Sequence, residues 1–381
     1  MSTDPDAKSD LTETRAGQRV EAAIGALRRG DPVVIAGRDG EAPEMTVAAE
    51  LCRTDLLALL RERTAGALSL LLTANRGAIL HIPPTGDDVL RLPLDAHYDS
   101  GTIRALADPT HDLDGTFRGP LKRSKDPISG PGKAAMDLVK TALLLPAALT
   151  APLGIGASEA ESWAEARGMV RVSIDDIARV RDQGALPLLE RVVATRVPLE
   201  DAEASRIMAF RPRDGGQEHL AIVIGEPSGD VPVLTRLHSE CLTGDLLGSL
   251  KCDCGAQLKG AIRTIAKAGS GVLLYLAQEG RGIGLVNKLR AYRLQEQGFD
   301  TIEANERLGF KADEREFVVA AEMLKALGFR TIRLLTNNPD KVAALEAEGV
   351  RVAERVPHAF PSNNHNEFYL ATKKKRSGHY L

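Results

Sequence analysis

Cysteine is scarce in this chain of 381 residues: there are four, and three of them fall between positions 241 and 254. So few cannot build a disulfide framework, and they fit a reducing compartment. Aromatic residues make up only 4% and the formal net charge is −3. Neither a stacking surface for nucleic acid nor a global field for a membrane is therefore available. Any polyanionic ligand has to be held by local basic residues. No apolar run approaches the ~20 residues a membrane span requires. The stretch 66–83 is interrupted by Asn75-Arg76-Gly77 and reads as two core strands around a turn; 142–155 is short and broken by Pro146 and Pro152. Residues 1–19 are polar and acidic, lack a signal core, and read as disordered. What remains is an ordinary cytoplasmic protein, 43% hydrophobic and 27% charged, long enough for two or three domains.

The pattern along the chain is α/β (α+β) in two domains. Val20, Ile24 and Leu27 recur at helical spacing before Gly30, and Pro32–Ala36 is a strand. Helical and strand-like patterns alternate to about Val180, and the prolines at 187 and 198 place a boundary near Pro198, giving domains 20–198 and 199–381. In the second half, Leu220–Ile224 and Val231–Leu237 read as paired strands joined through Glu226–Asp230. Ala256–Ala268 carries one apolar face, Gly271–Leu276 is a buried strand, and a helix from Phe317 ends at Gly328. Thr331–Thr336 is a strand and Asp340–Glu348 a helix before Gly349. The Lys373–Arg376 run reads as a solvated tail.

Cys241, Cys252 and Cys254 offer three soft ligands with no adjacent fourth, among acids and a histidine. A structural zinc usually closes its shell with four protein ligands, whereas a catalytic one keeps a position for water. A metal that activates water is thus the sharper reading; three unliganded thiols are the plainer one. Four segments concentrate polar groups that folding alone does not require. Arg236-Leu237-His238-Ser239-Glu240 ends a strand just before Cys241. Gln278-Glu279-Gly280-Arg281-Gly282-Ile283-Gly284 follows another, and its glycines admit a ligand to the backbone while Arg281 can fork onto phosphate oxygens. It lacks the Gly-x4-Gly-Lys-Ser/Thr pattern of a Walker loop. Ala312-Asp313-Glu314-Arg315 reads as a helix start, with Asp313 in the N-cap position. Finally, Leu335-Thr336-Asn337-Asn338-Pro339-Asp340-Lys341 takes a strand into a helix N-terminus, where free amides favour an anion. A metal-activated water beside a phosphate cradle describes a hydrolase acting on a nucleotide.

The segments His238–Asp245, Cys252–Gly255, Gln278–Arg281, Ala304-Asn305, Leu308–Phe310, Asp313–Arg315 and Thr336–Pro339 together resemble the GTP cyclohydrolase II family, from about Ala202 to Leu381. The resemblance implies opening of the guanine imidazole ring of GTP, with release of formate and pyrophosphate, the first committed step toward riboflavin. It implies that Cys241, Cys252 and Cys254 hold one zinc ion, whose water acts at C8 of the base and then on the formamide. By the same carry-over Arg315 acts at the α-phosphate, as nucleophile or charge stabiliser, with Asp313 as base and Tyr292 near the reacting base. Arg236, Leu237, His238, Ser239, Glu240, Gln257, Glu279, Gly280, Arg281, Thr301, Thr336 and Lys341 match the family's GTP-binding positions. Mg²⁺ is expected on the pyrophosphate, and a homodimer is expected from the family.

The first half resembles a 3,4-dihydroxy-2-butanone 4-phosphate synthase domain, through Ala23–Gly30, Val47–Glu50 and Thr102–Pro109. Its catalytic elements are missing. The acidic motif after the first strand is replaced by Gly37-Arg38-Asp39-Gly40-Glu41-Ala42-Pro43, and the His-Thr-Glu segment by Ser129–Asp137, which lacks both the His and the Glu. A folded, inactive domain is expected. Two other readings stay open: a cyclohydrolase of this family acting on a uridine nucleotide, and a non-enzymatic zinc module for nucleic acid. The second predicts a nearby fourth ligand and a basic, aromatic face, which the composition opposes.

Overall fold

The computed structural model describes residues 5–360 apart from 65–67, 85, 115–119, 184–188 and 214–215, so the Lys373–Arg376 run lies outside the described residues. The chain divides into two compact units: Met1–Asp182 with Val286–Glu314, and Gln183–Leu285 with Arg315–Leu381.

The first unit is built on six strands, β1 (Val33–Ala36), β2 (Glu44–Ala48), β3 (Ser69–Thr73), β4 (Val89–Pro93), β5 (Ala147–Pro152) and β6 (Val170–Ser173), in the order β4-β3-β5-β2-β1-β6. The runs Val33–Ala36 and Leu70–Leu72 are wholly buried because an apolar cluster covers each face of the sheet. A helix spans Pro5–Arg29 and buries Val20, Ile24 and Leu27. It ends at Gly30 (φ +77°), whose N–H donates to Leu27 O at 2.9 Å while Asp31 N–H donates to Ala26 O at 2.9 Å. This paired capping needs a left-handed residue, hence glycine. Most of the segment that composition marks as disordered is therefore helical, continuous with the apolar stripe that anchors it.

Two further expectations change here. Residues 74–79 form a helix, not a turn between strands. Thr73 caps it by accepting from Arg76 N–H at 3.3 Å, and Arg76, 1% exposed, donates to Leu106 O and pairs with Asp112. Nor does one cut near Pro198 separate the units. Val286–Glu314 belongs with the first because Arg290 bonds Glu50 at 2.6 Å and Asp108 at 3.1 Å, Asn287 Nδ2 donates to Leu143 O, and Lys140 pairs with Glu314. Such long-range ion pairs leave no local periodicity to read.

The second unit carries β7 (Leu189–Arg196), β8 (Ser205–Pro212), β9 (His219–Ile224), β10 (Val233–Ser239), β11 (Gly271–Leu276), β12 (Thr331–Leu335) and β13 (Arg351–Val356), ordered β13-β12-β10-β11-β9-β8-β7. β9 and β10, expected to pair, are separated by β11, which is antiparallel to β9 and parallel to β10. β10, β11 and β12 run parallel, with Ser239 opposite Leu276 and Thr235 opposite Leu334. Their carboxyl ends thus deliver the segments after Ser239, Leu276 and Leu335 to one edge, the place where parallel sheets bind ligands. Asp313-Glu314-Arg315 is not a helix start: the next helix is Val318–Ala326 with Phe317 at its N-cap.

Candidate active site

The three cysteines meet at that edge. Their sulfurs lie within 4.8 Å of one another, and among the described residues they are the group of metal-ligating side chains so placed. Cys241 Sγ and Cys252 Sγ are 3.7 Å apart. Tetrahedral zinc with bonds of ~2.3 Å to sulfur separates its ligands by about 3.8 Å, so the set fits such an ion. Gly244 shapes the cradle: a Cβ there would sit 2.8 Å from Cys252 Sγ and 3.0 Å from Cys241 Sγ. Its N–H instead donates to Cys241 Sγ at 3.3 Å, the contact a thiolate favours. Hydrogen bonding from Cys241 leads the causes that push the Cys252 thiol up to about 11. Contacts with Cys241 and Cys252, then burial, also raise Cys254. Adjacent thiols resist ionising together unless a cation joins them.

Around the sulfurs the loops brace one another. Glu279 Oε2 accepts from Leu242 N–H at 2.7 Å, tying the glycine-rich turn to the cysteine loop. In that turn Gly280 (φ +66°) and Arg281 (φ +63°) are both left-handed, a conformation strained for a non-glycine residue. Asp245 Oδ2 accepts from Cys241 N–H at 3.0 Å, from the Tyr275 hydroxyl at 3.0 Å, and lies 3.0 Å from His238 Nε2.

Cations gather on the neighbouring side. Arg236, 6% exposed, donates to Leu335 O at 2.8 Å and to Gln257 Oε1 at 2.5 Å. Burial pulls its guanidinium down to about 10, and Arg315 pushes the same way. Lys341 Nζ donates to Leu237 O at 2.8 Å. One ring, Phe317, lies 5.3 Å from Lys341 Nζ and 5.6 Å from the Arg315 guanidinium. The three cations belong to one locality. Thr336 Oγ1 accepts from Asn338 N–H, and Asn338 caps the helix Pro339–Ala347 through Asp340 N–H. Arg236 Nε, His238 Nδ1, Ser239 Oγ and Gln278 Oε1 are buried without a hydrogen bond among the described residues. Native proteins rarely leave such atoms unmatched, so they point to a polar ligand.

Of the residues singled out in the sequence, Arg236 to Cys241, Cys252, Cys254, Gln257, Glu279 to Arg281, Arg315, Thr336 and Lys341 all belong to the second unit, whereas Tyr292, Thr301 and Asp313 belong to the first. Asp245, Tyr275 and His358 were not assigned a role. Asp245 lies within the segment His238–Asp245, Tyr275 reads as part of a buried strand, and His358, which reaches Gln257 O at 2.9 Å and Asn337 Oδ1 through its N–H at 3.0 Å, carries no local signal.

The pattern of the GTP cyclohydrolase II family matches residues 190–357. The chain is 49% identical over 378 residues to a GTP cyclohydrolase-2 of Azospirillum brasilense, covering 99% of this chain and 97% of that protein. It is 37% identical over 399 residues to the riboflavin biosynthesis protein RibBA of Phocaeicola vulgatus, covering 95% and 97%. A crystal structure of RibBX, a two-domain 3,4-dihydroxy-2-butanone 4-phosphate synthase from A. baumannii, aligns at a TM-score of 0.37 and 19% identity over 90% of this chain and 100% of that one. The first of these relatives spans the chain end to end and names its chemistry; with a three-thiol cradle and a cationic strand edge at the matching motifs, this chain belongs to the GTP cyclohydrolase II family.

Proposed function

We propose that the protein hydrolyses GTP with a zinc ion and Mg²⁺, releasing formate and pyrophosphate and leaving 2,5-diamino-6-(5-phosphoribosylamino)pyrimidin-4(3H)-one, the first step of riboflavin biosynthesis. The observation that carries this reading is the fit of three sulfurs to a tetrahedral ion beside buried cations and unmatched polar atoms. Cys241, Cys252 and Cys254 would hold zinc, which when bound supplies a Lewis acid and a water of lowered pKa. Arg236, Lys341 and Arg315 would take the triphosphate, helped by Thr336, by the amides of the Gly280 turn and by Arg281. Mg²⁺ on the pyrophosphate offsets the charge of the leaving group. Arg315 then acts at the α-phosphate by stabilising charge, because a guanidinium with pKa above ~12 is a poor nucleophile. The roles of Asp313 as base, Tyr292 near the reacting base, and Thr301, Gln257, Glu240, Ser239 and Leu237 in binding rest on the family motifs. A homodimer is part of the same reading.

The first unit would do no synthase chemistry. Glu41 accepts from Gly130 N–H at 3.0 Å and from Arg38 N–H, and Glu44 pairs with Arg91 and Ser129, which supports an inactive domain. The decisive experiment incubates purified, zinc-quantified protein with Mg²⁺ and either GTP or UTP. Formate and pyrophosphate should appear from GTP alone. Consumption of UTP with GTP left untouched would replace the substrate, and full activity without zinc would remove the metal from the reading.

A further inference from the structure

Asp245 is the hub of a buried polar unit that the family reading leaves without a role. Its side chain is 6% exposed and that of His238 3% exposed. His238 and Tyr275 are register partners on β10 and β11, so both rings stand on the same sheet face, 5.6 Å apart and 21° from parallel. Three groups converge on the carboxylate: Cys241 N–H, the Tyr275 hydroxyl, and His238 Nε2 at 3.0 and 3.1 Å to its two oxygens. A carboxylate only accepts, so the nitrogen facing it must carry the proton. The other ring nitrogen, Nδ1, is buried and has no hydrogen bond among the described residues. Burial, outweighing the attraction of Asp245, holds the imidazole below its ordinary pKa.

We propose that Asp245, steadied by Tyr275, is a positioning residue that locks His238 in the Nε2–H tautomer, keeping the Nδ1 lone pair as an acceptor for an N–H or O–H donor of the bound nucleotide. The same carboxylate holds the amide of Cys241, so the turn bearing the first thiol and the acceptor are set by one group. The inference deepens the GTP reading and rests on it for the identity of the ligand. Its geometric half stands apart from that reading.

Asp245→Asn separates the tautomer from the shape. Its oxygen, in the Oδ2 position, can still take the Cys241 amide and the Tyr275 hydroxyl, while its NH₂ takes the Oδ1 position, 3.1 Å from His238 Nε2, and sets an N–H against the proton there. An amide N–H aimed at Nε2 favours the ring with its proton moved to Nδ1. Long-range ¹H–¹⁵N spectra of full-length, ¹⁵N-histidine-labelled protein, with His238 assigned through His238→Gln, read this directly. The wild type should show a protonated Nε2 and a bare Nδ1 whose resonance shifts when a non-hydrolysable GTP analogue is added. Asp245→Asn should show the reverse, and its formate release should fall roughly 10²-fold with zinc content retained, the upper end of what loss of an outer-shell partner costs. Tyr275→Phe should keep the tautomer and lose less activity than Asp245→Asn, since it removes one of three groups held by the carboxylate and leaves the other two. Protonated Nδ1 in the wild type, an Nδ1 signal indifferent to the analogue, or an Asp245→Asn enzyme with the wild-type rate would overturn the proposal. The wild-type spectrum decides alone if the variant does not fold. A locked tautomer in a protein that leaves GTP intact would condemn the substrate reading and spare the lock.

Discussion

Both units place polar side chains where a strand end meets a helix, but the charges are used differently. In the first, Glu41 turns to the amide of Gly130 at the start of the helix Gly130–Thr141, and Glu44 is matched by Arg91 and Ser129. Glu44 Oε2, Thr46 Oγ1 and Arg91 Nε have no hydrogen bond among the described residues, and the cluster is an anion set against a cation. In the second, Arg236, Lys341 and Arg315 share one locality, and three sulfurs crowd a space where their joint ionisation calls for a cation. The difference teaches that polar side chains alone do not distinguish the two clusters: one balances its charges internally, the other gathers like charges.

The largest effect should come from Cys252→Ser. A hydroxyl is a poor zinc ligand and leaves two sulfurs, so metal content by elemental analysis and formate release should both fall to background. A variant that binds no zinc yet opens the ring would break the contrast between the units. Next, Arg315→Ala should lower kcat by about 10²–10³, some 3–4 kcal/mol of barrier, with zinc retained, as when a positioned donor is removed from a developing charge. Near wild-type turnover would return Arg315 to the surface.

A third test uses pH. Burial, with help from Arg236, depresses His358 from 6.5 to about 4. The unfolded chain binds this proton first, so stability is full above pH 6.5 and is lost as pH falls toward 4. The total is on the order of 3 kcal/mol. Denaturant midpoints between pH 7 and 4 should flatten in His358→Gln, and an unchanged acid limb would show that His358 is not held neutral. Smaller still, Arg290→Ala should cost about 2 kcal/mol of stability, because Glu50 and Asp108 lose a partner that is itself only partly shielded. No loss on urea unfolding would argue against Val286–Glu314 as part of the first unit. The smallest expected signal is none: with ribulose 5-phosphate and Mg²⁺ the whole protein should form no dihydroxybutanone phosphate, and measurable turnover would erase the contrast altogether.

The cysteine cluster, the glycines that end the helices at 30, 328 and 349, and the strands Gly271–Leu276 and Thr331–Leu335 were legible because each is a local matter of spacing, capping or apolar run. The metal reading followed from ligand chemistry written within fourteen consecutive positions. Local pattern could not order the strands: β11 enters between β9 and β10 because parallel pairing with β10 and antiparallel pairing with β9 satisfy both of its edges at once. Nor could it foresee the passage of Val286–Glu314 into the first unit, which depends on Arg290 meeting carboxylates 240 and 182 positions away. The meeting of Asp245 with Tyr275, thirty positions on, is of the same kind. By itself the sequence determined which chemistry was affordable and where helices stop; tertiary structure decided which distant groups share a proton or a charge, because those energies depend on distance in space and on exclusion of water, neither of which a linear pattern contains.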